Sequence, residues 1–143
     1  MKQRCEFAIL NCVLPLLFGA FIYWHFRPDA WITRFIDCIF GKVPEITEEN
    51  RAINDTILRL CKFYLPDILW SYSLTSAVCL ILSRPRISVI LSMSFSFLTE
   101  FFQLTRILPG TFDWADVVLE WMASLTAAGL FSVFLYPKNI KKE

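Results

Sequence analysis

Seven polar or charged residues lie where strongly apolar segments of the chain begin or end. They are Asp67, Glu100, Gln103, Arg106, Asp113, Asp116 and Glu120. Ionisable side chains at such positions are costly to bury and usually serve a function. Two carboxyl groups in a low-dielectric surrounding cannot both ionise cheaply. We therefore expect Glu100 and Glu120 to share a proton, to pair with Arg106 or to hold a cation.

Four apolar segments must position these residues. The chain has 143 residues, of which 56% are hydrophobic and 16% aromatic, and the apolar residues form long blocks. A helix needs roughly 18 or more mostly apolar residues to cross a bilayer, and the segments 7–26, 64–82, 87–104 and 117–136 meet this criterion. The sequence predicts an all-α polytopic membrane protein, a single domain of residues 1–143 with four transmembrane helices in the lipid bilayer.

The first apolar segment is predicted to be a retained helix, because no small-residue cleavage pattern follows it. Pro15 predicts a kink in this helix, and Asn11 is expected to form a hydrogen bond to a neighbouring helix. Basic residues in short segments at helix ends mark the cytoplasmic side. They are Lys2, Arg4, Arg84, Arg86, Lys138, Lys141 and Lys142. We therefore expect both termini in the cytoplasm.

The long segment between the first two spans is then external. Its residues 30–40 place apolar side chains at helical spacing, which predicts a short helix lying in the membrane interface. A second short helix is predicted from Thr47 onward. Cys38 and Cys61 both lie on this side, and the sequence leaves open whether they form a disulfide.

Small polar residues recur at four-residue steps along the last three spans, which places each set on one helix face. The sets are Asp67, Ser71, Thr75, Cys79 and Ser83; Ser88, Ser92, Ser96 and Glu100; and Glu120, Ser124, Ala128 and Ser132. Such faces are either packing seams between helices or a path for a solute. If they are seams, the carboxyl groups of all three helices converge at the external end of the bundle.

The carboxyl-rich end has a structural explanation as well as a functional one. Acids in the first turn of a helix cap free backbone N–H groups, which would account for Asp113 and Asp116, with Thr111 or Asp113 as the N-cap. If the end is a site, its five carboxyl groups outnumber Arg106, so it favours sugars, amines, protons or a hard cation over phosphate. No spacing is diagnostic of a metal site, and we expect no cofactor and no nucleic acid partner.

Five of these residues resemble the motif of the VanZ-like family of small bacterial membrane proteins. In that family one helix carries Glu and Gln, a turn carries Arg, and the next helix opens with Asp-x-x-Asp, matching Glu100, Gln103, Arg106, Asp113 and Asp116. Leu65-Pro66-Asp67 is also similar to the Pro-Asp of the family, and the likeness covers roughly Tyr64 to Gly129. Glu120 stands where the family has Asn, and Ala123 where it has Gly. The family's ligand and protonation state therefore do not carry over directly.

The resemblance implies a four-helix protein of the bacterial cytoplasmic (inner) membrane, and the namesake is associated with low-level resistance to the glycopeptide teicoplanin. Three functions stay open. The acidic site binds or modifies an envelope component, such as an envelope glycan, a lipid-linked precursor or a glycopeptide. Alternatively, the carboxylates and Arg106 form a helix clamp, and a partner protein or homo-oligomer supplies the function. The third is a hydrolase or transferase acting on a lipid-linked glycan, although no nucleophile is evident.

Overall fold

The computed structural model describes residues 2–26, 38, 63–108 and 112–135 of the chain. The helices are α1 (Lys2–Ala8), a π-helical turn (Ile9–Val13), α2 (Leu14–Phe26), α3 (Leu65–Leu82), α4 (Pro85–Leu104) and α5 (Trp114–Phe134). No strand occurs within these ranges. The predicted external helices lie outside the described residues, as does Cys61 of the cysteine pair.

Within the residues that the structure describes, four helical stretches are long and apolar enough to cross a membrane, as predicted. They are Lys2–His25, which joins α1, the π-helical turn and α2 into the first span, followed by α3, α4 and α5. Large apolar side chains such as Ile81 and Val133 are 78% and 72% exposed, which suits surfaces that face lipid rather than water. These features support the prediction of an all-helical, multi-pass membrane protein.

Several helices begin earlier than the predicted boundaries. The first span starts at Lys2 rather than Phe7, α4 at Pro85 rather than Ile87, and α5 at Trp114 rather than Val117. Proline suits the first turn of a helix because its missing N–H needs no partner there, so Pro85 starts α4. Hydropathy alone missed these polar first turns.

A π-helical turn, Ile9–Val13, lies just before Pro15, the residue at which the sequence predicts a kink. Pro15 has no N–H to donate to the carbonyl four residues earlier, that of Asn11. The Leu14 N–H instead bonds to the Ile9 carbonyl, five residues back. Asn11 forms the expected interhelical contact, since its Oδ1 accepts a hydrogen bond from the Tyr72 hydroxyl of α3.

Helix α3 is the centre of the bundle and packs against the first span, α4 and α5. At Gly19 the first span lies so close to α3 that an added Cβ would sit 3.3 Å from atoms of Leu69 and Trp70. The α3–α4 connection is only Ser83 and Arg84, with Ser83 in the left-handed region at φ 53°. Such a short connection makes α3 and α4 antiparallel neighbours.

The predicted small-residue faces are packing seams through most of their length. Thr75, Ser88 and Ser124 are fully buried, and the Thr75 hydroxyl donates to Ser124 Oγ across α3 and α5 at 3.0 Å. Close approach over small residues with hydrogen bonds between helices is typical of membrane bundles. Ser83 and Ser132, at the far ends of two stripes, are exposed and do not belong to the seams.

Candidate functional site

The start of α3, the end of α4 and the start of α5 meet at one end of the bundle, which we call the acid-bearing end. Its carboxyl groups belong to Asp67, Glu100, Asp113, Asp116 and Glu120. Asp67 lies in the first turn of α3 and Asp116 in the first turn of α5. Glu100 lies one turn inside the end of α4, and Glu120 about two turns inside the start of α5.

Asp113 joins all three helices at this end. Its Oδ1 accepts the Ala115 N–H at 2.9 Å, which makes it the N-cap of α5, as the sequence predicts for Thr111 or Asp113. Its Oδ2 accepts the hydroxyl of Tyr64, just before α3, at 3.2 Å. Its own N–H donates to Glu100 Oε2 of α4 at 3.3 Å. The Asp113 contacts therefore fasten the helix ends together.

Glu100 has a structural role through this contact. Its side chain is only 5% exposed, and its Oε2 receives the Asp113 N–H, a backbone donor that α5 itself leaves without an intrahelical acceptor. Losing the carboxylate would remove this hydrogen bond from a part-buried N–H, which costs about 1–3 kcal/mol. Glu100 therefore stabilises the junction of α4 and α5.

Glu120 differs from Glu100 because its carboxyl group is not fully bonded. Its Oε2 atom is buried and has no hydrogen-bond partner among the described residues. The Ser96 hydroxyl lies beside the carboxyl group, and the acids of Asp67, Glu100 and Asp116 are close enough to interact with it electrostatically. A buried polar atom without a partner is uncommon in folded proteins. Glu120 therefore keeps a buried carboxyl oxygen that the described residues do not bond.

The backbone around Glu120 is held firmly, which fixes where its side chain starts. The Ser71 hydroxyl of α3 donates to the Glu120 carbonyl at 2.9 Å and lies 3.0 Å from Ser124 Oγ. Ser71 and Ser124 are 5% and 0% exposed. The packing seam between α3 and α5 thus positions a carboxyl group that the seam itself does not use.

Among the residues that the structure describes, Arg106 does not form the ion pair that was one of the three alternatives for Glu100 and Glu120. Its side chain is exposed, and within residues 2–26, 63–108 and 112–135 no ion pair joins it to a carboxylate. Its backbone has φ 59°, and it lies two residues beyond the end of α4. The Arg106 N–H bonds to the Gln103 carbonyl at 3.0 Å and the Ile107 N–H to the Phe102 carbonyl at 2.9 Å.

These two bonds define a Schellman cap, in which the left-handed residue is usually glycine. Arg106 therefore has a backbone role at the end of α4 that the sequence motif did not reveal. Gln103 is half-buried in the last turn of α4, and its backbone carbonyl is part of this cap. Among the described residues, Arg106 does not form the ion-pair clamp considered above.

Two residues at the acid-bearing end were missed as site residues. Tyr64 donates its hydroxyl to Asp113, and the neighbouring Asp113 carboxylate raises the pKa of the Tyr64 phenol above its ordinary value. Ser96, read only as part of a seam, lies beside the Glu120 carboxyl group. The position of Tyr64 directly before Leu65-Pro66-Asp67 was the available signal, since it places a phenol at the same helix end as the acids.

No metal site is formed by the side chains that the structure describes, since no three or more His, Cys, Asp and Glu residues are arranged to hold an ion. The acids are spread over three helix ends, and Asp113 and Glu100 already accept backbone N–H groups. The arrangement is better suited to donors that approach as a hydroxyl or an amine, which can bond a single carboxyl oxygen.

Comparisons with known proteins give no further guide to this site. No family model matches the chain, and no curated protein or solved structure shows significant similarity to it.

Proposed function

We propose that the chain is a VanZ-like protein of the bacterial cytoplasmic membrane that binds or modifies an envelope component through Glu120. The observation that carries the proposal is the buried, unpartnered Oε2 of Glu120 among other carboxyl groups. The resemblance of Glu100, Asp113 and Asp116 to the family motif supports a functional site at the same end of the bundle. The ligand is an envelope glycan, a lipid-linked precursor or a glycopeptide such as teicoplanin.

The chemistry of the acid-bearing end favours a ligand that donates hydrogen bonds. Glu120 offers an acceptor without a partner, and Asp67 and Asp116 add carboxyl groups nearby. A sugar hydroxyl or an amine donates a hydrogen bond to such an acceptor. With both termini in the cytoplasm, this end faces outward, where envelope components lie.

A structural function is the second candidate, and the contacts of Asp113 favour it. Asp113 links Tyr64, Glu100 and Ala115, so part of the acidic motif serves to hold three helix ends together. In that case the family-like residues shape a platform for a partner protein or for a second copy. The two candidates differ in the role they give to Glu120, which is not among the contacts of Asp113.

Glycopeptide susceptibility separates these candidates. Bacteria expressing the wild-type chain, Glu120→Gln or Glu6→Gln are compared for growth in teicoplanin, with membrane levels matched by quantitative blotting. Glu6 is the control, because it undergoes the same chemical change, is exposed and lies on α1 in an ion pair with Lys2. We expect wild type and Glu6→Gln to confer resistance and Glu120→Gln to lose it. Equal resistance in all three would refute a ligand role for Glu120.

A further inference from the structure

The end of the bundle opposite the acid-bearing end carries basic residues, and we call it the basic end. Lys2 and Arg4 lie at the start of α1, Arg84 directly precedes α4, and Arg86 lies in the first turn of α4. All four side chains are exposed. The one acid that the described residues place at this end is Glu6, whose Oε1 lies 3.9 Å from Lys2 Nζ. This part of the surface therefore has a surplus of positive charge.

Arg4 joins the start of the first span to the connection between α3 and α4. Its Nη2 donates to the Leu80 carbonyl at 2.8 Å and to Ser83 Oγ at 2.9 Å. Leu80 lies in the last turn of α3, where carbonyls lack an intrahelical donor and a cation is favoured by the helix dipole. A guanidinium has five N–H donors, and the contacts within the described residues use only those of Nη2. Arg4 is therefore held in place with the donors of Nε and Nη1 still available.

The contact with Ser83 also brings Arg4 close to Arg84. Since neighbouring Cα atoms are about 3.8 Å apart, the Arg4 Nη2 lies at most about 9 Å from the Arg84 Cα. This is less than the Debye length at 0.1 M ionic strength, about 10 Å. A charge attracts an anion whichever way its side chain points, so Arg4 and Arg84 both draw an anion to the connection between α3 and α4.

The arginines of the basic end are not neutralised by acids of the described part of the chain. No ion pair joins Arg4, Arg84 or Arg86 to a described carboxylate. Arg84 bonds Ser88 through its backbone carbonyl, and its side chain has no hydrogen bond to a described residue. Three arginines at one end of a membrane bundle are thus available to an anion from outside the described residues.

The basic end lies where the apolar surface of the bundle stops. Ile81, in the last turn of α3, is 78% exposed, and Ile87, in the first turn of α4, is 40% exposed. In a bilayer these side chains face acyl chains, and basic residues just beyond them lie at the level of the headgroups. Clusters of exposed basic residues beside a spanning helix are typical of surfaces that attract anionic lipids.

We propose that the basic end binds the headgroup of an anionic phospholipid. Arg4 is the fixed donor to the phosphate, because α3 holds its guanidinium, and Arg84 and Arg86 add charge beside it. The planar guanidinium suits phosphate oxygens, whereas the cation of a zwitterionic headgroup is repelled by the same arginines. This site does not depend on the proposed function, since it lies at the other end of the bundle and takes a different ligand.

Lipid titration followed by native mass spectrometry tests this. The full chain in detergent is titrated with dioleoyl phosphatidylglycerol or with dioleoyl phosphatidylcholine, which share acyl chains and differ in net charge. Arg84→Gln removes one charge of the basic end and keeps the backbone bond to Ser88, and Arg86→Gln is a second such variant. Arg106→Gln is the matched control, because it makes the same change at an exposed arginine near the acid-bearing end. Arg84→Lys keeps the charge and changes the shape.

We expect the wild type to bind the anionic lipid at least tenfold more tightly than the zwitterionic one. A basic residue near an anionic lipid surface contributes about fivefold to binding, so Arg84→Gln and Arg86→Gln should each weaken binding of the anionic lipid by about that factor. Arg84→Lys and Arg106→Gln should stay within about twofold of wild type. Equal binding of both lipids by the wild type, or equal binding of the anionic lipid by Arg84→Gln and Arg106→Gln, would overturn the proposal.

Glu120→Gln shows whether the lipid site is separate from the acid-bearing end. We expect this variant to prefer the anionic lipid as the wild type does, because Glu120 lies at the other end of the bundle. A preference lost in Glu120→Gln and kept in Arg84→Gln would place the lipid at the acid-bearing end and overturn the proposal.

Discussion

Replacing Arg106 distinguishes a backbone role from an ion-pair clamp. Arg106 has φ 59°, in the left-handed region, and its side chain is exposed with no ion pair to a described carboxylate. Arg106→Ala keeps a Cβ in the left-handed conformation and removes only the side chain beyond it. Arg106→Gly removes the Cβ as well. The clamp predicts that both variants lose stability, whereas the Schellman cap predicts that Arg106→Gly gains stability and Arg106→Ala stays close to wild type.

The magnitude follows from the conformation. A non-glycine residue in the left-handed region costs roughly 1–2 kcal/mol. Glycine relieves that cost but makes the unfolded chain more flexible, which offsets about 0.4–1 kcal/mol. We therefore expect Arg106→Gly to raise the free energy of unfolding by about 0.5–1 kcal/mol. Arg106→Ala should stay within about 0.5 kcal/mol of wild type, as for other exposed positions.

Unfolding of the purified protein in mixed micelles, titrated with SDS and followed by tryptophan fluorescence and circular dichroism, gives these free energies. Wild type, Arg106→Ala and Arg106→Gly are compared under the same lipid conditions. A loss of more than about 1 kcal/mol in Arg106→Ala would exceed what an exposed residue without an ion pair contributes. That result, or an Arg106→Gly variant less stable than Arg106→Ala, would refute the reasoning.

Two further predictions concern Asp113 and Tyr64. Asp113→Ala removes the N-cap of α5 and should lower the free energy of unfolding by about 1 kcal/mol, while Asp113→Asn, also a good N-cap, should lose less in the same SDS titration. Asp113 raises the pKa of Tyr64, so the stability from their hydrogen bond is present below the unfolded-state pKa of Tyr64 and is lost as the pH rises through the folded-state value. The phenolate absorbance of wild type minus Tyr64→Phe should therefore appear at higher pH than that of free tyrosine, and Asp113→Asn should lower it; no change on Asp113→Asn would contradict the contact.

The spans could be predicted because hydropathy is a property of long segments. Each apolar block contains a helix, and the errors lie at polar ends such as Lys2 and Pro85, where hydropathy is low but helix geometry still holds. The position of the irregularity in the first span was predictable from Pro15, since a missing N–H acts locally. The sequence did not show that the helix forms a π-helical turn there.

The acid-bearing end could be predicted only in part. The convergence of the three helix ends follows from the four-residue spacing of small residues, because helices that pack along such faces bring their ends together. The different roles of Glu100 and Glu120 could not be predicted, since they depend on a 3.3 Å contact from the Asp113 N–H to one and not the other. The backbone role of Arg106 could not be predicted, because its charge is visible in the sequence and its backbone φ is not.

The central claim is that Glu100 serves the fold, while the Glu120 carboxyl group is held for a ligand. Replacing each by methionine keeps a similar shape and removes the charge. Glu100→Met leaves the Asp113 N–H without an acceptor and should lower the free energy of unfolding by about 1–3 kcal/mol.

The most direct measurement is the free energy of unfolding of Glu120→Met without added ligand, in the same SDS titration. The account predicts a value equal to or above that of wild type, because the variant removes a buried carboxyl oxygen that has no partner among the described residues. A loss of about 1 kcal/mol or more, as for Glu100→Met, would show that Glu120 also serves the fold and would contradict the account.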